Sequence, residues 1–165
     1  MLTDKDKEIV DKIILGIGVD SLNRFETFYR YASHFTPPQY WYGLGLAYTS
    51  SDNLYSNKEK VRECFSSILP GRKFLMDESE RTFLKKLPKF LKIYRAMTIE
   101  ENKSGQYGIS WTLKRKVAKF FKETYWRNID TNHLPKIIKE LVIPKSLIIA
   151  YFNEREEEEV IYLGK

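Results

Sequence analysis

Apolar side chains recur at helical spacing up to about Phe90 and at strand spacing beyond it. Ile9, Ile13, Ile14 and Ile17 follow the helical period behind Thr3 or Asp4, either of which can cap, and Gly16 and Gly18 close the segment. Leu22, Phe25, Phe28, Tyr29 and Ala32 repeat the pattern until Pro37 and Pro38 stop it. The run from Tyr40 to Tyr48 is apolar enough to predict a buried helix, which Gly43 and Gly45 weaken. Ser50 to Asn53 reads as a loop or cap. Two further helices are predicted from about Lys58 to Ile68 and from about Glu78 to Leu87, ending before Pro70-Gly71 and near Pro88.

Leu91 to Met97 alternates and is rich in strand formers, and Gly108 to Thr112 is a short strand. The latter runs into a helix from Leu113 to Tyr125, whose inner face is expected to be Val117, Phe120, Phe121 and Tyr125. After a loop from Asn128 to Pro135 come three strand-like runs, Lys136 to Ile143, Ser146 to Phe152 and Glu159 to Leu163. Pro144-Lys145 and an acidic run separate them. The expected fold class is α+β: a helical N-terminal segment, 1–88, packed on a sheet-rich core, 89–165, together one compact domain. No repeat is present. Strict βαβ alternation and a glycine-rich phosphate loop are both missing, which argues against a Rossmann or Walker-type site.

Composition narrows the class further. The 165 residues suit one domain or one with a helical extension, and a hydrophobic fraction of 42% allows a real core. No window is long and apolar enough for a membrane helix, and the charged start, Met1 to Glu8, is unlike a signal or transit peptide. Cys64 is the single cysteine, so an internal disulfide is impossible; this fits a reducing, cytoplasmic setting. His34 and His133 lie far apart, with no metal-ligand spacing around either, so no metal is expected. The net charge of +6 favours encounter with anions of any kind without choosing among them.

Four features carry candidate chemistry. Arg95 is a cation inside an apolar strand; it either points outward on a half-exposed face or lies inward, paired or waiting for an anion. Ser110 reads as an ordinary strand hydroxyl, and Thr112 as a helix cap, when each is taken alone. The run Glu154 to Glu159 has the composition of a solvated turn, yet it leads directly into Val160-Ile161-Tyr162-Leu163. Glu159 therefore stands where loop becomes sheet, and extended alternation puts Glu157 on its side of the chain and Glu158 on the other. Carboxylates held at a strand entrance suit the stabilisation of a developing cation.

The order Ile93-Tyr94-Arg95, then Gly108-Ile109-Ser110-Trp111-Thr112, then Glu157-Glu158-Glu159-Val160-Ile161 resembles the arginine–serine–glutamate class of ADP-ribosyltransferases. That class includes the C3-like, iota-like and vertebrate arginine-specific enzymes, and the likeness is to its small phage or bacterial members. It covers about Leu91 to Leu163. The resemblance implies a mixed or antiparallel sheet core that binds NAD as substrate, releases nicotinamide and moves ADP-ribose to a macromolecular acceptor. A protein acceptor, with arginine the modified side chain, is the expectation, and nucleic acid stays open.

It implies that Arg95 grips the dinucleotide's phosphates and the nicotinamide-side ribose, with Ala96 beside it, where relatives often carry glycine. Ser110 would orient the catalytic Glu159. Trp111 would pack, and Thr112 would support the site. Glu159 would bind the ribose 2′-hydroxyl and stabilise the oxocarbenium-like transition state. Glu157 would help an acceptor guanidinium lose its proton, and Asn153 to Glu158 would be the acceptor-recognition turn. Glu156 replaces a common glycine in that turn. Competing readings are an NAD glycohydrolase, a silent scaffold that binds a nucleotide or partner, and a nucleic-acid-binding module resting on Lys114 to Lys122 and Tyr125-Trp126-Arg127. The helical first half could be a lid, an acceptor platform or a support for the sheet.

Overall fold

The structure is a computed structural model that describes residues 1–52, 54–123 and 134–164. The expectations for Asn53, Tyr125, Trp126, Arg127, Asn128 and His133 lie outside the described residues. The chain forms two compact units, Met1–Arg81 and Thr82–Lys165.

The first unit is helical because apolar stripes alternate with capped starts. In α1 (Asp4–Ile14), the Thr3 hydroxyl accepts from the Asp6 amide at 3.1 Å, and the Asp6 carboxylate accepts from the Thr3 amide at 2.8 Å. Its buried residues are Val10 and Ile14; Ile9 is exposed, and Ile17 falls beyond the helix end in solvent. The inner stripe is thus narrower than the isoleucine spacing suggests. The second helix, α2 (Arg24–Tyr31), buries Phe25 and Phe28, while Leu22 lies before its start and is exposed.

Pro37 and Pro38 begin the next element instead of merely ending the last. They occupy the first turn of α3 (Pro37–Thr49), where a missing amide costs nothing, and Gln39 accepts from the Thr36 amide at 3.0 Å. The two glycines of α3 have a packing reason. A Cβ at Gly43 would stand 3.1 to 3.3 Å from Ile14, Val10 and Phe28 side-chain atoms, and one at Gly45 would overlap the Leu75 carbonyl. Close backbone approach outweighs the helix propensity they forfeit. Then come α4 (Lys58–Phe65), which buries Val61, Cys64 and Phe65, and a 3-10 turn over Arg72–Leu75. The α4 helix stops short of the expected Ile68, which is fully exposed. The next helix, α5 (Glu78–Lys86), begins in this unit and continues into the second from Thr82.

The second unit is built on a sheet. Its elements are β1 (Phe90–Thr98), α6 (Ile99–Ser104), β2 (Ser110–Thr112), α7 (Arg115–Glu123), β3 (Lys136–Pro144), β4 (Ile148–Phe152) and β5 (Glu159–Tyr162). The strands run in the order β3-β1-β2-β5-β4, with every neighbouring pair antiparallel. An α+β fold with an antiparallel five-stranded sheet is therefore present. The pairing of β1 with β3 extends from Phe90 opposite Pro144 to Thr98 opposite Lys136. Between β1 and β2 the register consists of Tyr94 opposite Thr112. That seam is where the sheet is thinnest in backbone bonds.

Two sequence expectations change here. The six-residue α6 has no apolar period of its own and was not anticipated; Thr98 starts it by accepting from the Glu101 amide at 3.1 Å. The inner face of α7 is centred on Ala118, 1% exposed, while Phe120 is 53% exposed and Val117 and Phe121 are only partly covered. A small residue lies deepest on that helix, so the large apolar spacing misidentifies its centre. At the far end of the unit, the Lys145 ammonium donates to the carbonyls of Lys85 (2.8 Å) and Leu87 (2.6 Å), closing the C-terminal end of α5.

Candidate functional site

The site is assembled around β2. Ser110, Trp111 and Thr112 lie opposite Ile161, Val160 and Glu159 of β5. Directly opposed residues project to one side of a sheet, so the Ser110, Thr112 and Glu159 side chains share a face while Trp111 takes the other. On the shared face the Ser110 hydroxyl donates to a Glu159 carboxylate oxygen. Both groups are half-buried at the strand ends. A hydroxyl aimed at a carboxylate holds its rotamer and leaves the second oxygen's direction set by the first.

Thr112 ties the acidic turn to the next helix. Its hydroxyl donates to the Glu157 carbonyl at 2.6 Å and accepts from the Lys114 amide at 3.0 Å. It thus acts three residues before the start of α7 as a turn hydroxyl, not as the residue capping the first helical turn. Trp111 is 2% exposed, its ring lies edge-on to Tyr107 and Tyr162, and its indole donates to the Gly108 carbonyl at 2.9 Å. Its visible work is packing.

The turn before β5 departs from extended backbone. Glu156 and Glu158 both have positive φ, +54° and +42°, a region that favours glycine. Alternation is therefore broken at Glu158, so extended backbone does not carry Glu157 to the side of Glu159 as the sequence pattern suggests. Asn153 offsets the strain by accepting from the Glu156 amide at its carbonyl (3.0 Å) and from the Glu158 amide at its side chain (3.2 Å). The Glu158 carboxylate pairs with Lys114 at 2.8 Å, and its carbonyl accepts from the Leu113 amide at 3.1 Å. Glu157 is half-buried next to these fixed points.

Arg95 shares its side of β1 with the buried Ile93 and Met97, so it is not an outward strand residue. It is paired. Nε donates to Glu101 Oε1 at 2.7 Å, Nη2 to Glu101 Oε2 at 3.4 Å and Nη1 to the Ser110 carbonyl at 2.9 Å. The same Glu101 Oε1 accepts from the Gly108 amide at 2.8 Å. Across the thin seam between β1 and β2, one ion pair thus satisfies backbone groups of Gly108 and Ser110. Arg95 meets Ser110 through its carbonyl, while the Ser110 hydroxyl turns to Glu159. Ala96 follows on the opposite side of β1, opposite Ile138 of β3.

Ser110 therefore contacts both of the other residues named from the sequence, Glu159 through its hydroxyl and Arg95 through its carbonyl. Because Tyr94 lies opposite Thr112, Arg95 leaves β1 on the face of Trp111, opposite that of the Ser110 and Glu159 side chains, and Thr112 is joined to the Glu157 carbonyl. Glu101 was missed, and Lys114 was read only as the start of a basic stretch, not as the partner of Glu158. Thr98 followed three residues later by Glu101 is a helix-start signature that could have revealed α6. Nothing in the spacing marks Glu101 as the partner of Arg95.

Among the described residues, no helix is long and apolar enough to cross a membrane. Compared with protein-family models, curated proteins and solved structures, the chain gives no significant match.

Proposed function

We propose that this chain is a mono-ADP-ribosyltransferase that takes NAD as substrate, and that the sheet of its second unit is a transferase core of the arginine–serine–glutamate type. The observation that carries the reading is the Ser110 hydroxyl donating to Glu159 while the Ser110 carbonyl receives Arg95. In the proposed reaction the bond from ribose C1′ to the nicotinamide nitrogen breaks, and its electron pair leaves with nicotinamide. The sugar becomes cationic, and a carboxylate fixed at Glu159 is worth more to that state than to neutral ground-state ribose. An acceptor nucleophile then bonds to C1′ and gives up a proton. For an arginine acceptor, Glu157 would receive it. Arg95 would hold the phosphates, because a planar fork of donors matches their oxygens. Water in place of the acceptor would make the chain an NAD glycohydrolase.

A nucleic-acid acceptor has one observation in its favour: Arg115, Lys116, Lys119 and Lys122 are exposed on α7, and Phe120 lies among them. We take a protein acceptor as the first expectation, in the cytoplasm of a producing or phage-infected cell. The test is to incubate the protein with adenylate-labelled NAD and cell lysate, then search proteins and nucleic acids for added ADP-ribose. Covalent label on a macromolecule with nicotinamide release is expected. Free ADP-ribose alone would make it a hydrolase, and unconsumed NAD would end the proposal.

A further inference from the structure

We infer that Glu101 is a positioning residue for the nucleotide: it grips the side edge of the Arg95 guanidinium so that the far end of the fork meets a phosphate. The inference rests on the proposed NAD reading. Arginine carries five N–H donors. Glu101 takes one from Nε and one from Nη2, and the Ser110 carbonyl takes one from Nη1. Among the described residues one donor is left on each terminal nitrogen, and such donors suit phosphate oxygens.

Three further observations fix that geometry. Arg95 and Glu101 are only 24% and 22% exposed, so protein contacts more than solvent set the rotamer, while part of the pair stays accessible. The guanidinium lies on the face of Gly108 where a Cβ would be, and any side chain there would overlap its terminal atoms. Glu101 Oε1 holds the Gly108 amide as well as Nε, which locks the platform and the guanidinium to one carboxylate oxygen. A bare arginine would have to freeze several torsions on binding phosphate; this one has already done so. Glu101 also lowers the local positive potential, which opposes anion binding. The fixed geometry is the larger effect in this proposal, and it decides the sign of the experiment.

The test is calorimetric NAD binding by the full chain and by Glu101→Gln, Arg95→Lys, the double variant and Gly108→Ala, with nicotinamide release measured alongside. Glu101→Gln should weaken NAD binding roughly tenfold, the scale of one misplaced charge-assisted hydrogen bond. The loss should fall on KM, with saturating turnover changed by no more than about threefold. On the Arg95→Lys background, Glu101→Gln should have almost no further effect, because nothing is left for it to position. A merely structural role would instead give independent, multiplying losses. Gly108→Ala should weaken binding as Glu101→Gln does, and it carries the test should Glu101→Gln fail to fold. Unchanged or tighter binding in Glu101→Gln or in Gly108→Ala, or multiplying losses in the double, overturns the inference and leaves the NAD reading intact. A wild-type chain that neither binds nor cleaves NAD overturns both.

Discussion

The hydroxyl of Ser110 and the carboxylate of Glu159 are joined by a hydrogen bond across two adjacent strands, although 49 residues separate them in the chain. The link follows from register: Thr112 lies opposite Glu159, and Ser110 projects to the same side one pleat away. It helps to fix the direction of a carboxylate at a strand end.

Under the proposed function that charge does its work in the transition state. Glu159→Gln keeps the size of the side chain and an acceptor for Ser110 but removes the charge. Turnover should fall by about two to three powers of ten, with NAD affinity changed little. Single-turnover nicotinamide release and calorimetry on one preparation check both halves. Wild-type turnover in this variant would remove Glu159 from the chemistry.

The turn predicts a different split. Glu157 lies between fixed points, with its carbonyl held by Thr112 and its neighbour Glu158 paired to Lys114. Glu157→Ala should spare hydrolysis of NAD and lower transfer to an arginine acceptor by roughly tenfold or more, the scale of a lost general base. Comparing nicotinamide release in water with product formed on free arginine measures the split. Equal loss in both assays would deny Glu157 an acceptor role.

In the first unit, Cys64 is 4% exposed and its thiol is pushed up to about 11, chiefly by burial. Thiolate is the reactive form, so the folded protein should alkylate far more slowly than a free thiol at pH 8. Because this group's folded value is raised above the ordinary thiol range, its contribution to stability is complete below about pH 8.5 and fades as pH rises toward 11. Iodoacetamide labelling with and without denaturant checks this: fast labelling of the native chain would contradict the burial.

Asp77 makes the opposite pH prediction. Its carboxylate accepts from the Glu80 amide and the Ser79 hydroxyl, both at 2.8 Å, and the Glu80 amide bond is the main cause of its lowered pKa. A depressed carboxyl stabilises the fold above its unfolded value, about 3.9, and loses that contribution as pH falls through the folded value. Asp77→Ala should cost about 1 kcal/mol at neutral pH, as cap removals do. Its difference from wild type should shrink in denaturant melts at acidic pH, and a constant difference would assign the loss to something other than the charge.

Much of this protein is legible locally. Caps such as Thr3, alternation in β1 and the change of period near Phe90 are written in neighbouring residues, so the α+β plan and the order of Arg95, Ser110 and Glu159 follow from sequence. The prolines at 37 and 38 were legible too, but only as a break, since the same fixed φ that ends one helix suits the first turn of another.

Tertiary packing decided the rest. Which stripe of α7 lies inward depended on what faces it, and the answer was Ala118 rather than the phenylalanines. The choice of Glu101, instead of solvent, as partner for Arg95 came from the thin seam between β1 and β2, where backbone groups of Gly108 and Ser110 need partners. Local pattern determines which residues can form an element and which side of it they occupy. Distances between elements depend on register and close approach, and those arise only once the sheet has closed around them.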